Sequence, residues 1–206
     1  MSKLVVSTIE TQNIKYDSDT SAATIDNSGY ITASQPVLAH VAMTSNQTNL
    51  TEQNWNKINF DSAIIDTKSG FDNTNDRYTI PIAGYYRIYC QALMGVLGEQ
   101  NSARDTGICI SRIRGGTTTP IAFSTNRHYD GAGDASDATE TVYVIDNCQA
   151  GDHIQFHSYV NTDTATPYDV FADVDGGGEN GHLNNSLPGG GSDGNPITYF
   201  TIERIV

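Results

Sequence analysis

Apolar and polar residues alternate along most of the chain, and nowhere do they recur at the i, i+3, i+4, i+7 spacing of a helix. Gly, Asn, Asp, Ser and Thr interrupt the alternation at short intervals, the pattern of many short antiparallel strands in a sandwich or barrel. The strongest strand is Tyr85 to Met94. Its even positions Tyr86, Ile88, Cys90, Ala92 and Met94 form an apolar face, and Tyr85, Arg87, Tyr89 and Gln91 form the other, with Leu93 the exception. His153 to Val160 repeats the pattern, with Ile154, Phe156 and Val160 opposed to His153, Gln155, His157 and Tyr159. Further strands are expected at Val37 to Met43, Trp55 to Phe60, Ala63 to Ile65, Arg77 to Ile82, Thr139 to Asp146 and Ile197 to Val206, the last with Phe200 and Ile202 on one face. Gly107 to Arg114 and Pro120 to Asn126 read as a hairpin turning at Gly115-Gly116, and Ala150-Gly151-Asp152 as a tight turn.

Residues 1–36 follow a different pattern. Leu4 to Ile9 reads as one strand and Thr24 to Ile31 as a small hairpin around Asn27-Ser28-Gly29, but large apolar residues are sparse. Such a segment buries too little surface to order itself. It is either a disordered tail or an arm that orders against another surface through Leu4, Val5, Val6, Ile9, Ile25 and Ile31. Pro36 marks the boundary, so the expected domains are an anchoring arm, 1–36, and a β body, 37–206.

At 206 residues the chain is long enough for one body with a real core. The 11 basic against 24 acidic residues leave a net charge of −13, which opposes binding to nucleic-acid phosphates. No apolar run reaches the ~18 residues of a membrane helix, and the first residues do not read as an export signal. Cys90, Cys109 and Cys148 have neither the even number nor the C-x-x-C spacing of a disulfide scaffold or zinc knuckle, so they are expected as small apolar fillers.

Four segments resemble the C1q/TNF-like jelly roll. Tyr78-Thr79-Ile80-Pro81-Ile82-Ala83-Gly84-Tyr85-Tyr86 is similar to the family's strand–bend–strand motif. Trp55, Ile58, Phe60 and Asp61, with Gly70-Phe71-Asp72, resemble the segment before it. Asn147 to Ile154 resembles the Gly-Asp turn, with Cys148 at a usually aliphatic position. Thr198 to Ile202 resembles the closing strand without its usual glycine. Together they cover about 37–206 and imply an all-β antiparallel sandwich that assembles as a homotrimer. The resemblance implies that the strands at 85–94, 153–160 and 197–206 surround the threefold axis and present Tyr85, Tyr89, His157, Tyr159 and Tyr199 to it, although ordinary surface placement is the plain alternative. The arm resembles short segments of bacteriophage virion proteins in Thr20-x-Ala22-x-Thr24-Ile25-Asp26-x-Ser28-Gly29.

No nucleophile elbow or His-Glu-x-x-His occurs, and His153 and His157 stand about 13 Å apart along their strand, too far to share a metal within one chain. Calcium is the one cofactor for which ligands are offered, by Asp130, Asp134 and Asp137 on a Gly-containing loop, with a solvated acidic loop as the alternative. Asp173, Asp175 and Glu179 are a second such group. The Asn-x-Thr/Ser triplets at Asn46, Asn49 and Asn184 read as chance.

The expectation is therefore a non-enzymatic virion structural protein, a trimer anchored by its arm to a capsid or tail protein. It would not bind nucleic acid or insert into a membrane. Decoration of the capsid and adhesion to a host surface glycan through the loops at 95–106, 127–138 and 172–196 are the two competing roles. A secreted C1q/TNF-like ligand and a glycan-degrading enzyme with an intersubunit site are the readings from other classes.

Overall fold

A computed structural model describes residues 13–15, 21–25, 31–33, 36–95, 103–127, 137–162, 165–172 and 197–205, and side chains within them except at 13–33, 103, 104 and 137. The chain divides between Pro36 and Val37 into two units. In the first, β1 (Asn13–Lys15), β2 (Ser21–Ile25) and β3 (Ile31–Ala33) form an antiparallel sheet in that order. Ile25 pairs with Ile31, so the expected hairpin forms. Leu4, Val5, Val6 and Ile9 lie outside the described residues, as does the turn at 27–29.

The second unit begins with β4 (Leu38–Ala42), β5 (Gln47–Leu50), β6 (Asn56–Lys57), β7 (Ser62–Asp66), β8 (Phe71–Asp72) and β9 (Arg77–Thr79). It continues through the long strands β10 (Gly84–Gly95), β11 (Ala103–Arg114), β12 (Thr117–Arg127), β13 (Asp137–Cys148) and β14 (His153–Thr162), then β15 (Tyr168–Phe171) and β16 (Tyr199–Arg204). Every pairing is antiparallel. One sheet runs β5-β15-β10-β16-β4-β7, with β13 on the other edge of β10. The second runs β12-β11-β14-β9-β8, with β6 also on β14.

Two expectations are corrected here. The strand at Trp55 to Phe60 shrinks to the two residues of β6; beyond it Ile58 keeps one backbone bond to Phe156 of β14, and Ile58 and Phe60 are buried as the alternation predicts. The strands 85–94, 153–160 and 197–206 do not share a sheet: β10 and β16 are neighbours, but β14 pairs with β11, β9 and β6 in the opposite layer.

The core lies between the layers. The even face of β10 is buried as the alternation predicts, and it meets Ile154, Phe156 and Val160 of β14 in one apolar cluster. At its centre Phe60 packs edge-on against Phe200 at 4.8 Å, and Phe156 stacks on Phe200 at 4.5 Å. Phe156 belongs to one sheet and Phe200 to the other, so these rings join the layers. The three cysteines are free and buried, as fillers would be, and burial raises the thiol pKa of each. Leu93 is buried although its parity points it outward. It lies opposite Phe171 where β15 joins the edge of β10.

The β11–β12 hairpin turns at Gly115 (φ 56°) and Gly116 (φ 82°), with Arg114 opposite Thr117. Positive φ at both central residues is what a two-residue loop matching strand twist demands, and glycine adopts it without a Cβ clash.

A second junction ties distant segments together. The Asp152 carboxylate is buried and accepts from Arg114 Nε at 2.9 Å, Arg114 Nη2 at 2.6 Å and the Gln149 amide at 2.7 Å. Its neighbour Gly151 donates N–H to the Ile80 carbonyl, and Ile80 N–H donates to the Asp152 carbonyl, both at 2.8 Å. The Gly-Asp turn and the Ile80-Pro81 bend, 70 residues apart, thus lock onto one another. The Arg114 hydrogen bonds, helped by the Gln149 amide against the opposing effect of burial, hold the Asp152 carboxyl below the usual carboxylate range. A lowered folded-state pKa gives stability that is present above the unfolded value and is lost as the pH falls through the folded one. Asp152→Asn should cost about 2–3 kcal/mol at neutral pH. The deficit against the wild type should shrink in acid, read from urea titrations at both pH values.

Candidate functional site

Two faces of the sandwich turn outward, and the sequence-predicted residues divide between them. On the first sheet, one lateral row crosses five strands in register: Tyr143 of β13 faces Tyr89 of β10, Tyr89 faces Thr201 of β16, Thr201 faces His40 of β4, and His40 faces Ile65 of β7. Adjacent rows add Ile145, Arg87 and Glu203 on one side and Gln91 and Tyr199 on the other. Tyr89 and Tyr199 are in ring contact at 5.7 Å, and His40 meets Tyr199 edge-on at 5.2 Å. Tyr89 donates its hydroxyl to Gln91 Oε1 at 3.0 Å. Burial, then the neighbouring Tyr199, pushes the Tyr89 phenol up to about 12. Tyr143 is 65% exposed, and Ile64, Ile65, Tyr85 and Ile145 also reach solvent. His40 Nε2 is buried without a hydrogen-bond partner.

Tyr85, Tyr89 and Tyr199 therefore do share a face. His157 and Tyr159 stand on the outer face of the second sheet, because β14 belongs to that layer. The sequence reading missed His40, Tyr143 and Ile145. The first is one of several residues in a short strand, and the other two alternate with the buried Val142 and the half-buried Val144. That alternation was the available signal.

On the second sheet, His157 lines a hollow of about 450 Å³ with Trp55, Cys109, Ser111, Pro120 and Phe123. Ser111 Oγ lies 3.4 Å from His157 Nδ1 and 3.5 Å from the Gln155 carbonyl. Trp55 packs on Tyr159 at 5.2 Å between ring centres. Neither Trp55 as a wall nor Phe123 was singled out by sequence: Trp55 reaches this face because β6 pairs with β14, and Phe123 joins it through the shifted register of the β11–β12 hairpin.

A second hollow of about 350 Å³ includes Asn46, Gln47, Asp61 and Asp76. Its carboxylates are occupied: Asp61 accepts from Thr44 N and Oγ1 at 2.8 and 2.9 Å, and Asp76 pairs with Lys57 at 3.1 Å. Of the expected calcium ligands, Asp130 and Asp134 lie outside the described residues, and of Asp137 only the backbone is described, opening β13. Asp173, Asp175 and Glu179 lie outside as well. Among the described residues no three His, Cys, Asp or Glu side chains are grouped to hold a metal.

No family model and no curated protein sequence matches the chain. Solved structures do. Eiger TNF from S. frugiperda superposes with a TM-score of 0.55 at 9% identity, over 84% of this chain and 94% of that one. Murine APRIL superposes with a TM-score of 0.53 at 11% identity, over 83% of this chain and all of that one. The globular domain of zebrafish complement 1qA aligns at 0.48 and 10% identity, over 84% and 98%. At 9 and 11% identity, the first two show a TNF-like jelly-roll fold, the architecture implied by the sequence motifs, and nothing about function.

Burial, and after it the charge of Lys57, holds the His157 imidazole below its ordinary value, so it is neutral at pH 7. That neutral form supports the fold above about 6.5, and the support is lost as the pH falls through the lowered value. Lys57→Gln should raise the His157 midpoint without bringing it to the free-imidazole value, since burial remains. An NMR titration of the ring protons measures this.

Proposed function

We propose that the chain is a non-enzymatic virion structural protein. Three copies of the body pack through the tyrosine-bearing face of the first sheet, and the N-terminal unit anchors the trimer to a capsid or tail protein. The observation that carries this reading is the in-register row Tyr143–Tyr89–Thr201–His40–Ile65 with its exposed flanks Tyr85, Ile64 and Ile145. A lone chain leaves these large side chains in water. Exposed large side chains of that kind suit an interface, and tyrosine in particular because its ring can be buried while its hydroxyl is satisfied.

The threefold count follows the jelly-roll resemblance of the motifs around Tyr78 to Tyr86 and Asn147 to Ile154. The virion setting follows the likeness of 20–29 to virion segments. The division at Pro36 suits an anchor that is separate from the body it carries. Its three short strands form a sheet that ends in β1 and β3, the kind of element that strand addition extends.

Sedimentation velocity should show a trimer for the full chain. Tyr143→Asp places a charge in the packed face and should release monomers that keep their β spectrum. A wild-type monomer at micromolar concentration overturns the proposal. Removing 1–36 should leave the trimer intact and abolish its attachment to particles, which immunogold labelling of intact virions reads directly.

A further inference from the structure

The register of the N-terminal unit sorts its residues by chemistry. Residues directly opposite one another in an antiparallel pair share a face, and successive residues of one strand alternate between faces. Ile14 lies opposite Ala23, Ala23 opposite Ala33, and Ile25 opposite Ile31. All five therefore fall on one face of the β1-β2-β3 sheet. Asn13 lies opposite Thr24 and Thr24 opposite Thr32, which places these three on the other face. The register shift after Ile14 sets Ser21 opposite Lys15, so Ala22 is the extra residue on β2 and Ser21 joins the polar face with Lys15. A regular ladder would have put Ser21 among the isoleucines. Three isoleucines and two alanines thus occupy one face, and a lysine, an asparagine, a serine and two threonines the other.

One layer cannot bury its own apolar face; a sheet needs a second layer to do so. Among the described residues the unit holds this one sheet and no other. Two features point to further copies of the same sheet as the missing layer. The first is the tether. Pro36 joins the unit directly to the body at Val37, and on the reading proposed above three bodies pack together. Three of these sheets are then held within reach of one another at a high effective concentration. The second is charge. Copies of a chain carrying −13 repel, yet Lys15 is the one charged residue in the three strands, and it falls on the opposite face. The apolar face can therefore meet its own copies without setting like charges against each other. Ala23, on the central strand, has Ala33 beside it, and small residues among large ones let layers approach closely.

We propose that the N-terminal sheets of three copies pack their apolar faces together, with Ile14, Ala23, Ile25, Ile31 and Ala33 of each copy in one shared dry core. Resting on the trimer reading, this packing adds a second, separate place of contact between copies. It also divides the work of the sheet: the face serves the other copies, while the edge strands β1 and β3 remain for the virion protein that the arm is proposed to hold. A closed set of three leaves no apolar face over, so assembly stops there.

Cross-linking of the full chain tests this. The native cysteines are buried with raised thiol pKa, so they stay out of the reaction. Ala23→Cys and Thr24→Cys are neighbours on one strand and differ in face. Treated with a short bismaleimide, Ala23→Cys should give covalent dimers on a denaturing gel, and Thr24→Cys should not. Ile25→Asp, added to Ala23→Cys, charges the same face and should abolish the dimers, while sedimentation still shows a trimer held by the bodies. Links at both positions, no links at Ala23→Cys, or links that persist with Ile25→Asp overturn the packing. An unlinked Ala23→Cys chain that sediments as a trimer sinks this packing alone; one that sediments as a monomer sinks the trimer reading with it.

Discussion

A β-strand has two faces, and a two-layer sandwich has room to bury only one of them from each sheet. In β10 the buried set is Tyr86, Ile88, Cys90, Ala92 and Met94, which meets Phe156 and its neighbours from the opposite layer. Commitment of that face leaves Tyr85, Arg87, Tyr89 and Gln91 no place but the outside. The same constraint acts on β14, where burial of Ile154, Phe156 and Val160 sends His157 and Tyr159 out on the other side of the molecule. Both candidate surfaces are therefore by-products of a single core.

The two surfaces are unlike in chemistry. The first spans five strands and is rich in tyrosine and isoleucine, with an exposed Arg87–Glu203 ion pair at 3.2 Å near it. Exposed pairs of this kind contribute little to stability, so they guide contacts more than they hold the chain together. The second is concave and small, walled by Trp55 and Phe123, with no charge in its lining.

Between the layers, the Asp152–Arg114 junction does more than add a contact. It fixes the turn at 149–152 to the bend at Ile80, and the bend leads directly into β10 through the Tyr86 hydroxyl, which donates to the Ile82 carbonyl at 2.6 Å. These are the two segments in which the sequence resembled a jelly roll most closely. The resemblance has a physical basis. The Asp152 carboxylate is held by Arg114 and the Gln149 amide, and the backbone of the same turn, at Gly151 and Asp152, pairs with Ile80 of the proline-containing bend.

Much of the body was legible from alternation alone: the long strands, the inward sets of β10, β14 and β16, the Gly115-Gly116 hairpin and the cysteines as core fillers. Alternation is a local property, decided by whether successive side chains meet core or water, and the sequence records it directly. Short elements such as β5, β6 and β15 were missed or misdrawn because two to four residues hold too little pattern. The layer to which β14 belongs, the bulge that sets Phe123 beside Pro120, the seat of Trp55 over Gly107 and the row from Tyr143 to Ile65 were decided only in three dimensions. Strands pair through backbone groups that every residue shares, so the choice of partner across tens or hundreds of residues is written in the packing of the whole core and in no single segment of the chain.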